Sequence, residues 1–379
     1  MKSNGIALIG LGAISDKYRS GLEDSSIFEL VAICDKKEDL LQNNKYVVDN
    51  KYVDYTKMVE DKLKLGLNTV IIATPPKTHY EIAKYCLEHG INVLIEKPAT
   101  VNFEQLEDLY QTATKFGSKF LVMFHWMYGS EIVYLHKHID EYIQRHGEII
   151  EVKAIVNDPY SDCCGHILPS RVGLEGTWLD CGINCISMIE RIIPMHKKTP
   201  VSVESQIDSN NGLPYYTKHN LIINDIISTE IIVDWREKKN FKRTILNFSD
   251  GAEMFIDHTD QIIFLAENQK EKQDLQTIKN YLFDFHDDQH INMPEELPTD
   301  LKPICDFNNL NHVDRLHTHY YNFFTMREID VTDTIGKTSS ANNIESIDDF
   351  YAEANSMKDS LKLHRLLFDL NPHEQNAKS

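Results

Sequence analysis

The chain is short of positive charge: 39 lysines and arginines face 58 aspartates and glutamates, a formal net charge of -19. Such a surface repels a phosphate backbone, which argues against a nucleic-acid partner and leaves any bound phosphate to local amides. Also missing is any apolar run near the roughly 20 residues of a membrane span. The first residues do not pass through a charged region, an apolar stretch and a small-residue cleavage site in order, so no signal peptide is expected. Seven cysteines is an odd number, and none stands in a paired Cys-x-x-Cys spacing. These absences lead to the expectation of reduced thiols in a cytoplasmic protein. Cys163, Cys164, His166, Cys181 and Cys185 invite a zinc site, but without that spacing no metal is expected. His312, His317 and His319 lack a spacing that gathers them on one helix face, and surface or junction positions are expected for them.

What is present fits a globular chain. At 379 residues, with 42% hydrophobic and 26% charged residues, it calls for roughly two domains. Short apolar runs at Ile6–Ile9, Leu30–Ile33, Val70–Ala73, Val93–Ile95 and Phe120–Met123 alternate with polar, helix-length segments, the mark of parallel strands buried on both faces. Ile82, Ala83, Cys86 and Leu87 share one face of a helix expected over Glu81–His89, with Gly90 at its stop. The pattern then changes. Segments near 148–157, 219–235, 242–248 and 252–265 are rich in β-branched residues, and Ser249-Asp250-Gly251 signals a hairpin. The expected fold is α/β, with a dinucleotide-binding domain over 1–124 and an α+β domain over 125–379 built on a large, mainly antiparallel sheet. Residues 267–300 read as a polar surface excursion and the tail beyond 345 as helical, through Phe350, Ala354, Met357 and Leu361.

Gly10-Leu11-Gly12-Ala13-Ile14-Ser15 follows the first apolar run. Gly10 and Gly12 suit a tight turn and close backbone approach to a pyrophosphate, with the amides of a following helix, beginning near Ala13 and Ile14, aimed at the anion. Ser15 stands where a third Gly or Ala is usual. Asp35 closes the second strand, where its carboxylate can accept from the adenosine ribose hydroxyls. That carboxylate favours NAD over NADP, although Lys36 and Lys37 leave NADP open. A nucleotide of another kind on a tight α/β turn is the alternative.

With Ala73-Thr74-Pro75-Pro76 and His79, Glu96-Lys97-Pro98, and Gly176-Thr177-Trp178-Leu179-Asp180-Cys181-Gly182-Ile183-Asn184, the chain resembles the glucose–fructose oxidoreductase, inositol dehydrogenase and MocA family. The resemblance implies a Rossmann domain followed by an open, mainly antiparallel sheet, with the active site between the two. It places Thr74, Pro75, His79 and Glu96 beside the cofactor. Lys97 would reach both nicotinamide ribose and substrate, with a cis Pro98 fixing its direction. Most of the family has a histidine four residues after the aspartate; here Asp180 is followed by Asn184, which takes no proton at neutral pH. The Asp-x-Gly-Ile-Asn form is similar to aldose 1-dehydrogenases acting on arabinose or galactose. Phe124-His125-Trp126, Val233-Asp234-Trp235-Arg236 and Ile329-Asp330-Val331 agree with that subgroup. Glu175, where glycine is usual, and the stretch Asp158–Leu174 depart from it.

The expected reaction is hydride transfer from a sugar, with Lys97 and Asp180 as a coupled acid–base pair and Asn184 orienting the substrate. His125 is a further substrate contact. Without the resemblance, a capping role for Asp180 and a buried amide role for Asn184 are the plainer readings. A non-catalytic dinucleotide-binding sensor and an inositol or nucleotide-sugar dehydrogenase remain as alternatives. The partner is a small sugar or polyol, and likeness to the family implies a homodimer or homotetramer formed through the open sheet.

Overall fold

The computed structural model describes residues 4–194, 201–236, 238–285, 299–307, 315–325 and 357–371. Contacts divide the chain into two units between Tyr128 and Gly129, and the described residues within Leu316–Glu328 and Ser340–Phe368 return to the first. A boundary drawn once along the sequence does not express that return.

In the first unit six strands form one parallel sheet: β1 (Asn4–Ile9), β2 (Phe28–Cys34), β3 (Lys51–Tyr52), β4 (Leu67–Ile72), β5 (Asn92–Glu96) and β6 (Phe120–Met123). Their order, β3-β2-β1-β4-β5-β6, reverses direction at β1 and β4, as in a doubly wound dinucleotide-binding domain. Ile6, Ala7, Leu8, Val70, Ile71, Ile72, Val93, Leu94 and Ile95 are fully buried, which explains the unbroken apolar runs. Only β3, two residues long, leaves no such run. The helix after β4 spans Pro76–Glu88, five residues earlier than its apolar face alone indicates. Proline at the first helical position lacks the amide that would be orphaned there, and its fixed φ suits the helix start.

The second unit carries an eight-stranded sheet. Its strands are β7 (Ile149–Asn157), β8 (Val201–Asn210), β9 (Leu213–Ile223), β10 (Ile227–Asp234), β11 (Phe241–Phe248), β12 (Glu253–Asp257), β13 (Ile262–Ala266) and β14 (Cys305–Asp306). The order is β14-β13-β12-β11-β7-β10-β9-β8. All neighbours are antiparallel except β7 and β10, which run parallel with Ser228 opposite Glu151. The expected hairpin at Ser249-Asp250-Gly251 joins β11 to β12, with the Asp250 carboxylate accepting from the Ala252 amide at 2.8 Å.

Two segments expected as single long strands are hairpins. Residues 219–235 turn at Asn224 and Asp225, whose φ values of 52° and 69° are left-handed. Their short polar side chains tolerate that region, so no glycine marks the turn. Residues 252–265 likewise reverse before Gln261, at φ 55°. The expected polar excursion is also corrected in its first half. Gln269–Phe285 is a helix, and Leu275, Ile278 and Leu282 on one face pack against Phe255, Ile262, Phe264 and Ala266 of the sheet. Helix Met357–Asp369 matches the helical reading of the tail, whereas Phe350, Ala354 and the segment Ile329-Asp330-Val331 lie outside the described residues. No described helix is long and apolar enough to cross a membrane.

Gly10 has φ at 97°, and an added Cβ would stand 2.6 Å from the Ala73 carbonyl oxygen. Gly10→Ala is expected to cost about 2–4 kcal/mol of stability in denaturant unfolding. Gly12→Ala, where the added carbon meets nothing within 4 Å, should unfold at nearly the wild-type midpoint.

Candidate active site

The open space at Gly12 is one half of a dinucleotide cradle. The other half is Asp35 at the end of β2. Its Oδ2 accepts from the Leu11 amide at 2.8 Å and its Oδ1 from the Lys37 amide at 2.9 Å. Each oxygen keeps a further lone pair for a ribose hydroxyl. Ser15, at the third-glycine position, is buried and turns its hydroxyl onto the Gly12 carbonyl at 2.7 Å. Ala13 and Ile14 lead into a four-residue 3-10 turn, Ser15–Tyr18, and then the short helix Arg19–Glu23, rather than one long helix. The glycine turn with its fixed acid fits a dinucleotide.

Thr74 and Pro75 form the turn after β4, where the Thr78 hydroxyl donates to Thr74 Oγ1 at 2.8 Å. His79 is fully buried, with Nε2 2.7 Å from the Thr74 carbonyl and Nδ1 3.0 Å from the Pro98 carbonyl. It ties the turn after β4 to the turn after β5. Burial lowers its pKa against the opposing pull of those carbonyls.

Glu96 ends β5 and is 6% exposed. Its Oε1 accepts from the hydroxyls of Tyr18, at 2.6 Å, and Tyr320, while Oε2 accepts from the Lys97 amide at 3.1 Å. Burial pushes this carboxyl up, opposed by the two phenols and by the Lys97 charge. Lys97 itself is half-buried, and the Lys97–Pro98 peptide is cis. His125 stacks on Tyr320, with centroids 5.1 Å apart, and lies 6.1 Å from His319. Its Nδ1 is buried with no hydrogen-bond partner among the described residues. Burial, then the Lys97 charge, holds its pKa well below the usual histidine value, so the ring is neutral near pH 7. His319, expected near the surface or a junction, is buried in this same cluster; His312 lies outside the described residues.

In the second unit Asp180 stands in a π-helical turn, Trp178–Gly182, that runs into helix Ile183–Ile192. Such turns are frequent at functional sites. Asn184 is buried; its Nδ2 donates to the Asp180 carbonyl at 3.4 Å, and its Oδ1 has no partner among the described residues. The Cys181 thiol lies 3.2 Å from Asp180 Oδ2 and 3.4 Å from Asp158 Oδ2. Asp158 is in turn paired with the Lys242 ammonium at 2.8 Å. Burial pushes the Cys185 thiol up to about 12, so it stays protonated. Asp158, Tyr160, Arg171 and Lys242 join this cluster, and no motif announced them apart from the unfamiliar stretch that contains the first three. Glu175 has φ 62°, the left-handed region glycine prefers, which accounts for the glycine usual there. No group of three or more metal-ligating side chains occurs among the described residues.

The fold and the turn define a dinucleotide-binding Rossmann unit. Residues 5–124 match the oxidoreductase family with an NAD-binding Rossmann fold, GFO_IDH_MocA. Over 137 residues the chain is 28% identical to the D-glucoside 3-dehydrogenase of Escherichia coli, covering 35% of this chain and 38% of that one. Over 112 residues it is 28% identical to the myo-inositol 2-dehydrogenase of Thermotoga maritima, covering 29% of this chain and 33% of that one. The match thus spans a little over a third of these curated relatives' length. The fold extends further. A solved oxidoreductase domain protein from Kribbella flavida superposes with a TM-score of 0.69 at 17% identity, over 100% of this chain and 98% of the other.

Glu96 gives the sign of a pH effect on stability. Its carboxyl holds its proton more tightly folded than unfolded, where the ordinary value is 4.5. The stabilisation it contributes is therefore complete below that pH and is lost as pH rises through the folded value. The stability of the wild type relative to Glu96→Gln should accordingly decline in denaturant titrations as pH rises above the unfolded value of 4.5.

Proposed function

We propose that this protein is an NAD-dependent dehydrogenase that oxidises a CH–OH group of a sugar or polyol, with the anomeric carbon of an aldose as the position oxidised. The observation that carries the reading is the half-buried Lys97, whose neighbour Glu96 is clamped by Tyr18 in the same unit as the glycine turn and Asp35. Kinship of the Rossmann unit with a family that includes a glucoside and an inositol dehydrogenase supports the substrate class. The Asp180–Asn184 pair, in place of an aspartate and a histidine, supports an aldose over an inositol. Engagement of both Asp35 oxygens by backbone amides supports NAD, because a fixed carboxylate opposes a 2′-phosphate.

NAD, when bound, supplies the acceptor for the hydride. The chain supplies the rest. Gly10, Gly12, Ala13 and Ile14 give the pyrophosphate a backbone path without side-chain obstruction, and Asp35 accepts from the adenosine ribose. Thr74 and Pro75 shape the adjoining turn, and His79 holds that turn against the one carrying Lys97. Lys97 and Asp180 are the acid–base pair of the proposal, each a group that can take the proton leaving the sugar hydroxyl. Asn184 directs its unmatched Oδ1 to a sugar hydroxyl, and the neutral ring of His125 offers its own unmatched nitrogen. Assembly through the outer face of the eight-stranded sheet completes the proposal.

The test is reduction of NAD or NADP by a panel of aldoses and inositols, followed by nicotinamide absorbance. Lys97→Ala and Asp180→Asn are each expected to lose roughly 10²-fold or more in kcat, the usual size of acid–base assistance. A loss of only a few-fold for Lys97→Ala would sink the acid–base assignment. Asn184→Ala should act mainly on KM. Tight NAD binding without turnover of any panel member would favour the sensor instead.

A further inference from the structure

One arginine of the second unit, Arg171, forms no ion pair among the described residues. Arg171 lies in the 3-10 turn Pro169–Leu174 and is half-buried. Its Nε is shielded from solvent with no hydrogen-bond acceptor among the described residues, and no ion pair is formed there. The guanidinium instead lies 4.2 Å over the ring of Tyr160. Lys242 is closed on Asp158 at 2.8 Å, Arg243 on Asp257 at 3.0 Å and Arg236 on Asp234 at 2.8 Å, whereas Arg191 shares with Arg171 an Nε that has no acceptor among the described residues.

Tyr160 connects Arg171 to Asp180. The Tyr160 amide donates to the Asp158 carbonyl at 2.8 Å, and the Cys181 thiol lies 3.4 Å from Asp158 Oδ2 and 3.2 Å from Asp180 Oδ2, which joins the residue under the guanidinium to those two acids. Asp158 is paired with the Lys242 ammonium at 2.8 Å. On the helix that follows Asp180, Asn184 is buried with an unmatched acceptor, Oδ1. Among the described residues the cluster thus holds unmatched donors at Arg171 Nε and Trp235 Nε1, whose indole packs on Tyr160, and an unmatched acceptor at Asn184 Oδ1. Buried polar groups without partners are costly, and a ligand that supplies partners removes the cost.

We propose that Arg171 is an anion-recognition residue beside Asp180, so that the sugar this protein takes carries a negatively charged group, a carboxylate or a phosphate. The proposal rests on the reading of Asp180 as a substrate contact. A guanidinium offers a rigid, planar fork that matches either anion with two parallel hydrogen bonds. Stacking on Tyr160 fixes the plane of that fork before the ligand arrives, which lowers the ordering cost of binding. Neutral sugar hydroxyls offer Arg171 no charge to pair with, so the arginine separates charged from neutral sugars of the same ring.

The test uses the full chain saturated with NAD and measures binding of galactose, galacturonate and galactose 6-phosphate by calorimetry at one ionic strength. At least one anion should bind about tenfold or more tighter than galactose. Galacturonate as the tighter of the two assigns a carboxylate, and the phosphate ester as the tighter assigns a phosphate. Arg171→Met should erase the margin, and Arg171→Lys, which keeps charge without the fork, should retain part of it. Galactose binding as tightly as both anions, an anion preference that survives Arg171→Met, or no binding of any of the three overturns the proposal. Because the readout is binding, it is separate from the dehydrogenase reading. Arg171-dependent anion binding without NAD reduction would keep the subsite and remove the enzyme. Turnover of neutral aldoses with no anion preference would do the reverse.

Discussion

The carboxyl of Glu96 is the contact on which the arrangement of the first unit depends. It ends β5, and it gathers hydroxyls from two distant places: Tyr18, in the turn just after the glycine segment, and Tyr320, 224 residues further along the chain. A buried carboxyl is expensive unless its lone pairs are met. Here both oxygens are met, one by the two phenols and one by the Lys97 amide. The dinucleotide turn, the strand end bearing Lys97 and the returning helix Arg315–Thr325 are thereby joined at one atom pair. His79 makes a second tie nearby, from the Thr74 carbonyl to the Pro98 carbonyl. Lys97 thus emerges from a backbone held on both sides by buried polar contacts.

The parts of this arrangement legible in the sequence are those whose demands are local. Gly10 is required where a Cβ would collide with Ala73, and Asp35 is required where a strand ends beside two amides. Both requirements leave a residue type at a fixed spacing, so the turn and its acid can be read directly. The parallel strands are legible for a related reason: burial on both faces removes polar residues from the run. Tyr18, Tyr320 and Lys242 carry no such mark. Each is defined by a partner far along the chain, 84 residues away in the case of Lys242 and Asp158, and a tyrosine or lysine in an amphipathic segment has a sufficient local explanation already.

The second unit shows where periodicity misleads. A hairpin whose turn uses Asn224 and Asp225 in place of glycine reads as one long strand, because the alternation continues through it. Helix Gln269–Phe285 reads as surface because only Leu275, Ile278 and Leu282 are fully buried along it. Three such residues on one face are enough to seat a helix on a sheet that is itself rich in Phe and Ile. The π-helical turn at Trp178–Gly182 is equally silent in the sequence, since it runs directly into helix Ile183–Ile192.

Net charge and local donors act over different distances, and this resolves an apparent conflict in the chain. A charge of -19 is felt at long range as a weak repulsion of anions, and at physiological salt it is largely screened beyond about 8 Å. Recognition at contact depends on which donors remain once the internal carboxylates have been satisfied. Asp35 is met by amides, Glu96 by phenols and an amide, and Asp158 by an ammonium and a thiol, so the lone pairs of these acids are engaged where they stand. An acidic protein can therefore bind an anionic cofactor at an open glycine turn. By the same reasoning it can keep a single stacked arginine for an anionic group on its substrate. The surface charge then sets how slowly such ligands arrive, and the local donors set how firmly they are held.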